Sequence, residues 1–489
     1  MTSDVHLKHL NYSNIRVEAD AGIIMELADH LTYYAENYKW HPKYKSRMWD
    51  GRISKVNRLN GVCSAGLAQR IKKFCDSRNY TFSFDDELCY ENISEYELKK
   101  FIESLNIPSK FEIRDYQFNS ILKCIRSNRR TLVSPTSSGK SLMIYVLVRW
   151  YEKHGKSLII VPTIGLVKQM EGDFYDYGYT GNIHCSTSGL DKSENIPADT
   201  VITTWQSLNN GRSQVSKWWY RQFSCVIGDE AHGCKAKSLI QILDSMETCK
   251  YRFGTTGTLD GNALNEATIE GLFGPKYKAI STKEMMDRGF SSKLKIKCIV
   301  LKYSDEVRKF ASTLDYPKEM DFLINHEGRT KFITNLAMSL KGNKLVFFRK
   351  RDHGQILKNS FEKTSSNVYY VDGTVGALDR DSMRHDLEQE DDAILVASLG
   401  TTSTGVSVKK LHHMIGAAPL KSSTKVPQSI GRMLRLHESK DEKGAYLYDI
   451  VDDLSYKSRK NFALRHFEER VKMYDADRFE YQIYYVRMK

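Results

Sequence analysis

From Phe111 onward, short uniformly apolar runs alternate with longer segments of helical spacing. Leu158-Ile159-Ile160-Val161, Val201-Ile202-Thr203 and Cys225-Val226-Ile227 show no polar alternation. Such runs predict parallel strands covered on both faces. A second series follows in Leu345-Val346-Phe347-Phe348, Val368-Tyr369-Tyr370-Val371, Ile394-Leu395-Val396 and Tyr446-Leu447-Tyr448. Two consecutive series predict two doubly wound α/β lobes with parallel sheets. The strand candidate Lys295 to Tyr303 fits neither series cleanly, which puts the lobe boundary between residues 290 and 330.

Upstream the pattern predicts a small, separate α/β module. Asn14 to Glu18 alternates like a strand, as does Tyr80 to Phe84. Ile23 to Tyr34 has helical spacing, with Ile24, Leu27, Leu31 and Tyr34 on one face. Glu95 to Leu105 reads as a helix that Pro108 ends. The expected division is an N-terminal module over 1–108, a first lobe over 109–290, a connection over 291–330 and a second lobe over 331–489. A chain of 489 residues has room for these parts, at about 100–200 residues per domain.

Charge narrows the class of partner. The net charge of +13 favours a polyanion, because neutralising phosphates releases counterions. A basic surface kept for solubility is the plainer alternative. Nine scattered cysteines, an odd number with no C-x-x-C pair, argue against a disulfide framework or a metal knuckle and for a reducing compartment, the cytoplasm. Met1-Thr2-Ser3-Asp4 lacks the pattern of a secretory signal. No apolar run approaches the roughly 18 residues that span a bilayer, so no membrane partner is expected.

Three motifs carry chemistry. Ser134-Pro135-Thr136-Ser137-Ser138-Gly139-Lys140-Ser141 lies between a short apolar run and an apolar helix. Strand, loop and helix N-terminus make a phosphate cradle. Thr136, Ser137, Ser138 and Gly139 would line it, Lys140 would reach the β- and γ-phosphates, and Ser141 would ligate Mg²⁺. Ser134 stands where the usual pattern has its first glycine. Asp229-Glu230-Ala231-His232 follows a strand candidate after one glycine. At the carboxyl end of a parallel strand, Asp229 would hold the metal ion and Glu230 would deprotonate the attacking water. His232 is a candidate coupling residue. Arg432 and Arg435, in Gln428-Ser429-Ile430-Gly431-Arg432-Met433-Leu434-Arg435, fall on one face of a helix candidate. Arginines reaching across a cleft stabilise transition-state charge.

These motifs, in this order, resemble superfamily 2 helicases from about residue 111 to 450. Further stretches fit. Arg114-Asp115-Tyr116-Gln117 resembles the adenine-recognising element, with Gln117 on the base edge. Val161-Pro162-Thr163 and Thr203-Thr204-Trp205-Gln206 resemble motifs that contact the nucleic-acid backbone. Thr256-Gly257-Thr258 stands where the family has its S-A-T coupling motif. Thr404-Gly405-Val406-Ser407-Val408 resembles motif V, with Ser407 in place of a usual Asp. Gly405 and Gln428 would then contact nucleotide. Within the superfamily the chain resembles the bacteriophage UvsW-type recombination helicases, through Met48-Trp49-Asp50-Gly51-Arg52-Ile53, Leu411-His412-His413 and Tyr474-Asp475-Ala476-Asp477. The resemblance implies two RecA-like lobes with an ATP site between them. It also implies ATP and Mg²⁺ as cofactors, and remodelling of branched, duplex and single-stranded DNA. Recombination or single-strand-binding proteins would be partners, and the host cytoplasm the location. An RNA helicase, a restriction-type motor and an ATP-gated DNA clamp share the ATPase motifs and remain open at this point.

The N-terminal module adds a candidate DNA surface. Between Lys39 and Lys73 stand ten Lys or Arg against one acid, Asp50. Lys43, Lys45, Arg47 and Arg52 would meet phosphates, and Trp49 would stack on a base. A solvated face whose aromatics belong to the core is the alternative. For Lys217-Trp218-Trp219-Tyr220-Arg221 a helix packing its rings on the sheet is the preferred reading.

Overall fold

The structure is a computed structural model, described here over residues 3–88, 91–186, 196–208, 216–365, 367–404, 408, 410–418, 430–431, 434–440 and 444–488. The apolar runs become parallel strands. In the first lobe seven of them lie in the order Lys276–Lys278, Arg129–Val133, Tyr251–Thr256, Phe223–Asp229, Lys156–Val161, Thr200–Thr204 and Ile183–Ser186. Successive residues feed opposite faces. Leu158 and Ile160 pack with Val226 on one side, and Ile159 and Val161 pack with Cys225 and Ile227 on the other. Burial on both faces explains the missing polar alternation, and each large apolar side chain buried this way contributes about 1.5–3 kcal/mol.

The second lobe repeats the plan. Its seven parallel strands run Val368–Val371, Ile394–Ser398, Lys344–Phe348, His413–Gly416, Ala445–Asp453, Leu294–Lys302 and Tyr481–Arg487. Leu294–Lys302, which fitted neither series by pattern, is thus a strand of this sheet. Its first half carries Lys295, exposed, and Lys297, half-buried, which break the apolar run. The fold class is therefore α/β, with two RecA-like lobes and a small N-terminal module.

That module holds a mixed sheet in the order Val62–Ser64, Asn14–Ala19, Val5–His9, Phe82–Phe84. The helix expected from Ile23 to Tyr34 is instead Ala21–His30. Leu27 and Leu31 are buried as the spacing required, but Thr32–Tyr34 leaves the helix to pair with Arg52–Ser54. A β-branched residue followed by two aromatics favours a strand. Glu95–Ser104 is a helix with a Ser94–Glu97 capping box.

By compactness the chain forms two units, Met1–Ser134 with Gly139–Ala279, and Ile280–Lys489 with Pro135–Ser138. Inside the first unit the N-terminal module is bonded to the lobe sheet. The Tyr12 N–H donates to the Glu247 carbonyl at 2.9 Å, and Arg129 Nη2 donates to the Tyr12 carbonyl at 2.7 Å. Arg252, 1% exposed, donates to the carbonyls of Cys249, Leu243 and Met246 and, at 2.8 Å, to Ser13 Oγ.

Candidate nucleotide and nucleic-acid site

Strand order, not sequence order, assembles the site. The loop 134–139 follows Arg129–Val133, Thr256-Gly257-Thr258 ends the next strand, and Asp229-Glu230 ends the one beyond. Pro162-Thr163 follow Lys156–Val161, and Trp205-Gln206 follow Thr200–Thr204, which pairs with it so that Thr204 faces Val161. All these strands are parallel, so every motif emerges at the same carboxyl edge of one sheet.

The loop 134–139 leads directly into a helix. Ser137 and Gly139 take φ of +68° and +77° just ahead of the helix Lys140–Tyr151, left-handed positions of the kind from which anion-binding loops are built. The Ser138 hydroxyl donates to the Pro135 carbonyl at 2.7 Å, and Lys140 Nζ to the Ser134 carbonyl at 3.2 Å. Ser141 is hydrogen-bonded to Tyr177. Gln117 is 3% exposed and accepts the Arg114 N–H at 2.8 Å. Its amide nitrogen lies where a Cβ on residue 139 would stand, so Gly139 is needed for the approach as well as for its positive φ.

Two threonines organise the acidic motif. Asp229 Oδ1 accepts the Thr255 hydroxyl at 2.6 Å and the Glu230 N–H at 2.9 Å. His232 Nδ1 lies 3.1 Å from Thr256 Oγ1 and 3.3 Å from Glu230 Oε2. Burial pushes the Asp229 carboxyl up, and the Glu230 charge adds to this, while Lys140, Thr255 and the Glu230 N–H pull it back down. Glu230 itself takes φ of +52°, a left-handed conformation that costs a non-glycine residue on the order of 1 kcal/mol. Sequence reasoning gave the Thr256-Gly257-Thr258 position but missed Thr255. The doubled threonine ahead of the glycine was the available signal.

Of the residues expected to contact nucleic acid on this lobe, Thr163 caps the helix Ile164–Asp176 through its side chain. Thr204 is buried and its hydroxyl accepts the Ser207 N–H at 3.3 Å, a capping role. Trp205 packs partly against the core, and Gln206 is exposed. In the Lys217–Tyr220 helix Trp219 and Tyr220 are buried on the sheet, while Trp218 is exposed beneath Arg221.

The basic stretch of the N-terminal module splits in two. Lys55 donates to Thr268 at 2.6 Å and Arg70 to Glu270 at 2.6 Å, so both anchor the module to the lobe. Lys43, Lys45, Arg47 and Arg52 are exposed, with Arg52 stacked on Tyr34. The two tryptophans of the stretch differ in their surroundings. Trp49 donates its indole N–H to the Arg52 carbonyl at 2.8 Å and packs edge-on against His41, which makes it a staple. Trp40 is 75% exposed with Lys45 over its ring, and nothing in the stretch from Lys39 marked it out over Trp49.

In the second lobe, Ile430 and Gly431 are helical and the Leu434 N–H closes on the Ile430 carbonyl. Arg435 follows in a bend, and its carbonyl accepts from Ser292 and, at 2.7 Å, from Lys440. Arg432, Gln428, Gly405 and Ser407 lie outside the described residues. Among the described residues, no group of three or more His, Cys, Asp or Glu could hold a metal ion, and no helix is long and apolar enough to cross a membrane.

Two parallel-sheet lobes, with a phosphate loop and an Asp-Glu-Ala-His turn on the edge of the first, define the motor core of superfamily 2. The comparisons refine the class. Residues 4–85 match the family model of the DNA helicase UvsW N-terminal domain, and residues 110–261 match that of the type III restriction enzyme res subunit. The chain is 33% identical to the ATP-dependent DNA helicase uvsW of Enterobacteria phage T4, over 98% of both chains. The crystal structure of T4 UvsW superposes with a TM-score of 0.52 at 31% identity, covering 99% of this chain and 100% of that one. A type ISP restriction-modification enzyme bound to DNA shares the fold, at TM-score 0.57 and 15% identity over 77% of this chain. The chain belongs to the UvsW family.

Proposed function

We propose that this protein is an ATP-dependent DNA helicase that remodels branched DNA, regressing forks and migrating four-way junctions during recombination, repair and replication. One observation carries the reading. The phosphate loop, the hydrolytic carboxylates and the backbone-contact positions leave one sheet edge in that spatial order, inside a chain of the UvsW family. A change at the phosphates is thus transmitted across neighbouring strands to the residues that grip DNA.

ATP is the fuel. Lys140 meets its β- and γ-phosphates, Gln117 and Arg114 read the adenine, and Glu230 takes the proton of the attacking water. Arg432 and Arg435 bring positive charge to the transferring phosphoryl group from the second lobe, and Gly405 and Gln428 contact the nucleotide there. The donor set suits Mg²⁺. A hydroxyl on Ser141 and a carboxylate on Asp229 leave most of an octahedral shell to phosphate and water, as this cation prefers. The Asp229 carboxyl, whose charge is disfavoured by burial and by Glu230 beside it, also calls for a cation. Bound there, the ion would neutralise charge developing on the phosphates.

Lys43, Lys45, Arg47 and Arg52, with Trp40 and Trp49 among them, form the junction-binding face of the N-terminal module. Pro162, Thr163, Thr204, Trp205 and Gln206 track one strand. Recombination and single-strand-binding proteins are the expected partners. The host cytoplasm is the expected location, in keeping with eight free cysteines among the described residues.

The test is ATP turnover and strand displacement on fork, four-way-junction, linear duplex, single-stranded DNA and RNA substrates, with Glu230→Gln as the inactive control. Preferential turnover and product formation on forks and junctions is expected. Stimulation by RNA above DNA, or turnover without strand displacement, would assign the chain to another class.

A further inference from the structure

At the amino end of the second lobe's sheet, two rows of polar and aromatic side chains cross the strands on one face. His413 pairs in register with Tyr446, and Tyr446 with Lys295. Two residues on, Tyr448 pairs with Lys297, and Lys297 with Gln482 of the outermost strand, Tyr481–Arg487. Residues two apart on a strand share a face, so Tyr484 joins Gln482, to which its hydroxyl donates. The rings stand nearly parallel, His413 at 30° to Tyr446 and Tyr446 at 29° to Tyr448. Lys295 and Gln482 are exposed, His413, Tyr446 and Lys297 are half-buried, and Tyr484 is 42% exposed.

The patch is cationic. Lys295 holds its ammonium 5.8 Å from the Tyr446 ring centre, and Lys297 lies 5.3 Å from that ring and 5.7 Å from the Tyr448 ring. Among the described residues neither lysine has a carboxylate partner. The acids bordering the rows are engaged, Asp392 by Lys344 and Glu480 at 3.9 Å from Lys283. Lysines over parallel rings on a sheet face suit an unpaired strand, because a base stacks on a ring and the displaced ammonium meets the phosphate beside it. A double helix offers no free base faces, and an acidic protein segment would leave the rings idle. We propose that this face is a second binding site for single-stranded DNA. It lies apart from the expected nucleotide contact. Gly405 follows the carboxyl end of Ile394–Ser398, whereas His413, Tyr446 and Lys295 stand at the amino ends of strands in the same parallel sheet. The two lysines that break the apolar pattern of Leu294–Lys302 thus have a use. The proposal needs only unpaired DNA and stands apart from the junction-remodelling reading.

The probe is oligothymidine bearing iododeoxyuridine, which cross-links under near-ultraviolet light to the aromatic rings it stacks on. It is irradiated with the full chain, and the cross-linked peptides are read by mass spectrometry. Cross-links are expected at Tyr446 or Tyr484. Their half-saturation gives the affinity of this site alone, whatever the motor track binds. In Lys295→Ala/Lys297→Ala the slope of log K against log salt should flatten by about 1.4 units, at roughly 0.7 for each lost phosphate contact of a single strand. Tyr484→Ser should weaken binding read at Tyr446, while melting temperature and DNA-free ATP turnover stay as in the parent. If the lysine variant melts early, Tyr484→Ser, at an exposed position on the outermost strand, decides. Absence of cross-links at both tyrosines, or half-saturation unchanged in a folded variant, would overturn the proposal. Labelled polyglutamate binding more tightly than oligothymidine at equal salt, and lost in the lysine variant, would give the face to an acidic protein segment and defeat it.

Discussion

The Thr255 hydroxyl donates to the Asp229 carboxylate across 2.6 Å, from the strand next to the one that Asp229 ends. The bond fixes the rotamer of the expected metal ligand and stabilises its charged form against burial. Thr255→Val keeps the shape and removes the donor. A hydrogen bond to a charged group is worth about 1.5–3 kcal/mol, so turnover should fall by roughly 10- to 100-fold. DNA-stimulated ATP hydrolysis checks this, with the melting temperature as control. Unchanged turnover would make the bond incidental.

Lys140→Ala should abolish hydrolysis, because the helix it opens offers no other cation at the loop. Glu230→Gln should bind ATP yet stop turnover, since an amide cannot accept the proton. Fluorescent-nucleotide binding beside single-turnover hydrolysis separates the two defects. Near-normal hydrolysis in Glu230→Gln would remove Glu230 from its role.

Arg435→Ala should lower kcat far more than nucleotide affinity, because a contact made mainly in the transition state leaves ground-state binding intact. Steady-state kinetics with direct nucleotide titration gives the answer. A KM defect at constant kcat would show that Arg435 binds ground-state nucleotide.

Replacing Lys43, Lys45 and Arg47 together by alanine should weaken junction binding. The slope of log K against log salt should flatten by about 2–3 units, at roughly 0.7–0.9 per lost phosphate contact. Trp40→Ala should cost about 1–3 kcal/mol of DNA binding at unchanged stability, as expected for a stacking ring. Trp49→Ala should lower the melting temperature, because its indole N–H holds the Arg52 carbonyl. The reverse pattern in the two tryptophan variants would restore the first assignment.

Lys440 tests the second lobe by pH. Burial, with Arg435 nearby, pushes its ammonium from 10.5 down to about 7. The unfolded chain therefore binds this proton more tightly, and stability from this site is lost as pH falls from about 10 through about 7. Lys440→Met removes the titration. The melting-temperature difference between parent and variant should move in the parent's favour as pH rises from neutral to about 9. A difference that stays flat would show that Lys440 titrates normally.

The lobes were legible because parallel strands buried on two faces have no polar positions to blur the pattern, and because phosphate chemistry requires glycine, lysine and paired acids in fixed local order. Other features depend on contacts between residues far apart in the chain. Thr255 is one threonine among several until the sheet sets it beside Asp229. Trp40 and Trp49 have the same basic neighbours, and only the Arg52 carbonyl, brought to the Trp49 indole by the fold, tells them apart. Leu294–Lys302 was legible as a strand but not as a member of the second sheet, because Lys295 and Lys297 break its apolar run.

Arg252 gives the N-terminal module a different standing from that of an appendage. Its guanidinium sits in the middle of the first lobe, yet one of its acceptors, the Ser13 hydroxyl, comes from the module. Truncating the chain ahead of the lobe would leave a buried cation short of a partner and uncover Thr268 and Glu270, to which Lys55 and Arg70 are tied. Module and lobe are thus one folding block, which should melt in a single transition and fail together when either is cut. The cations at the module's tip then belong to the same compact unit as Lys140, like a blade forged in one piece with its handle.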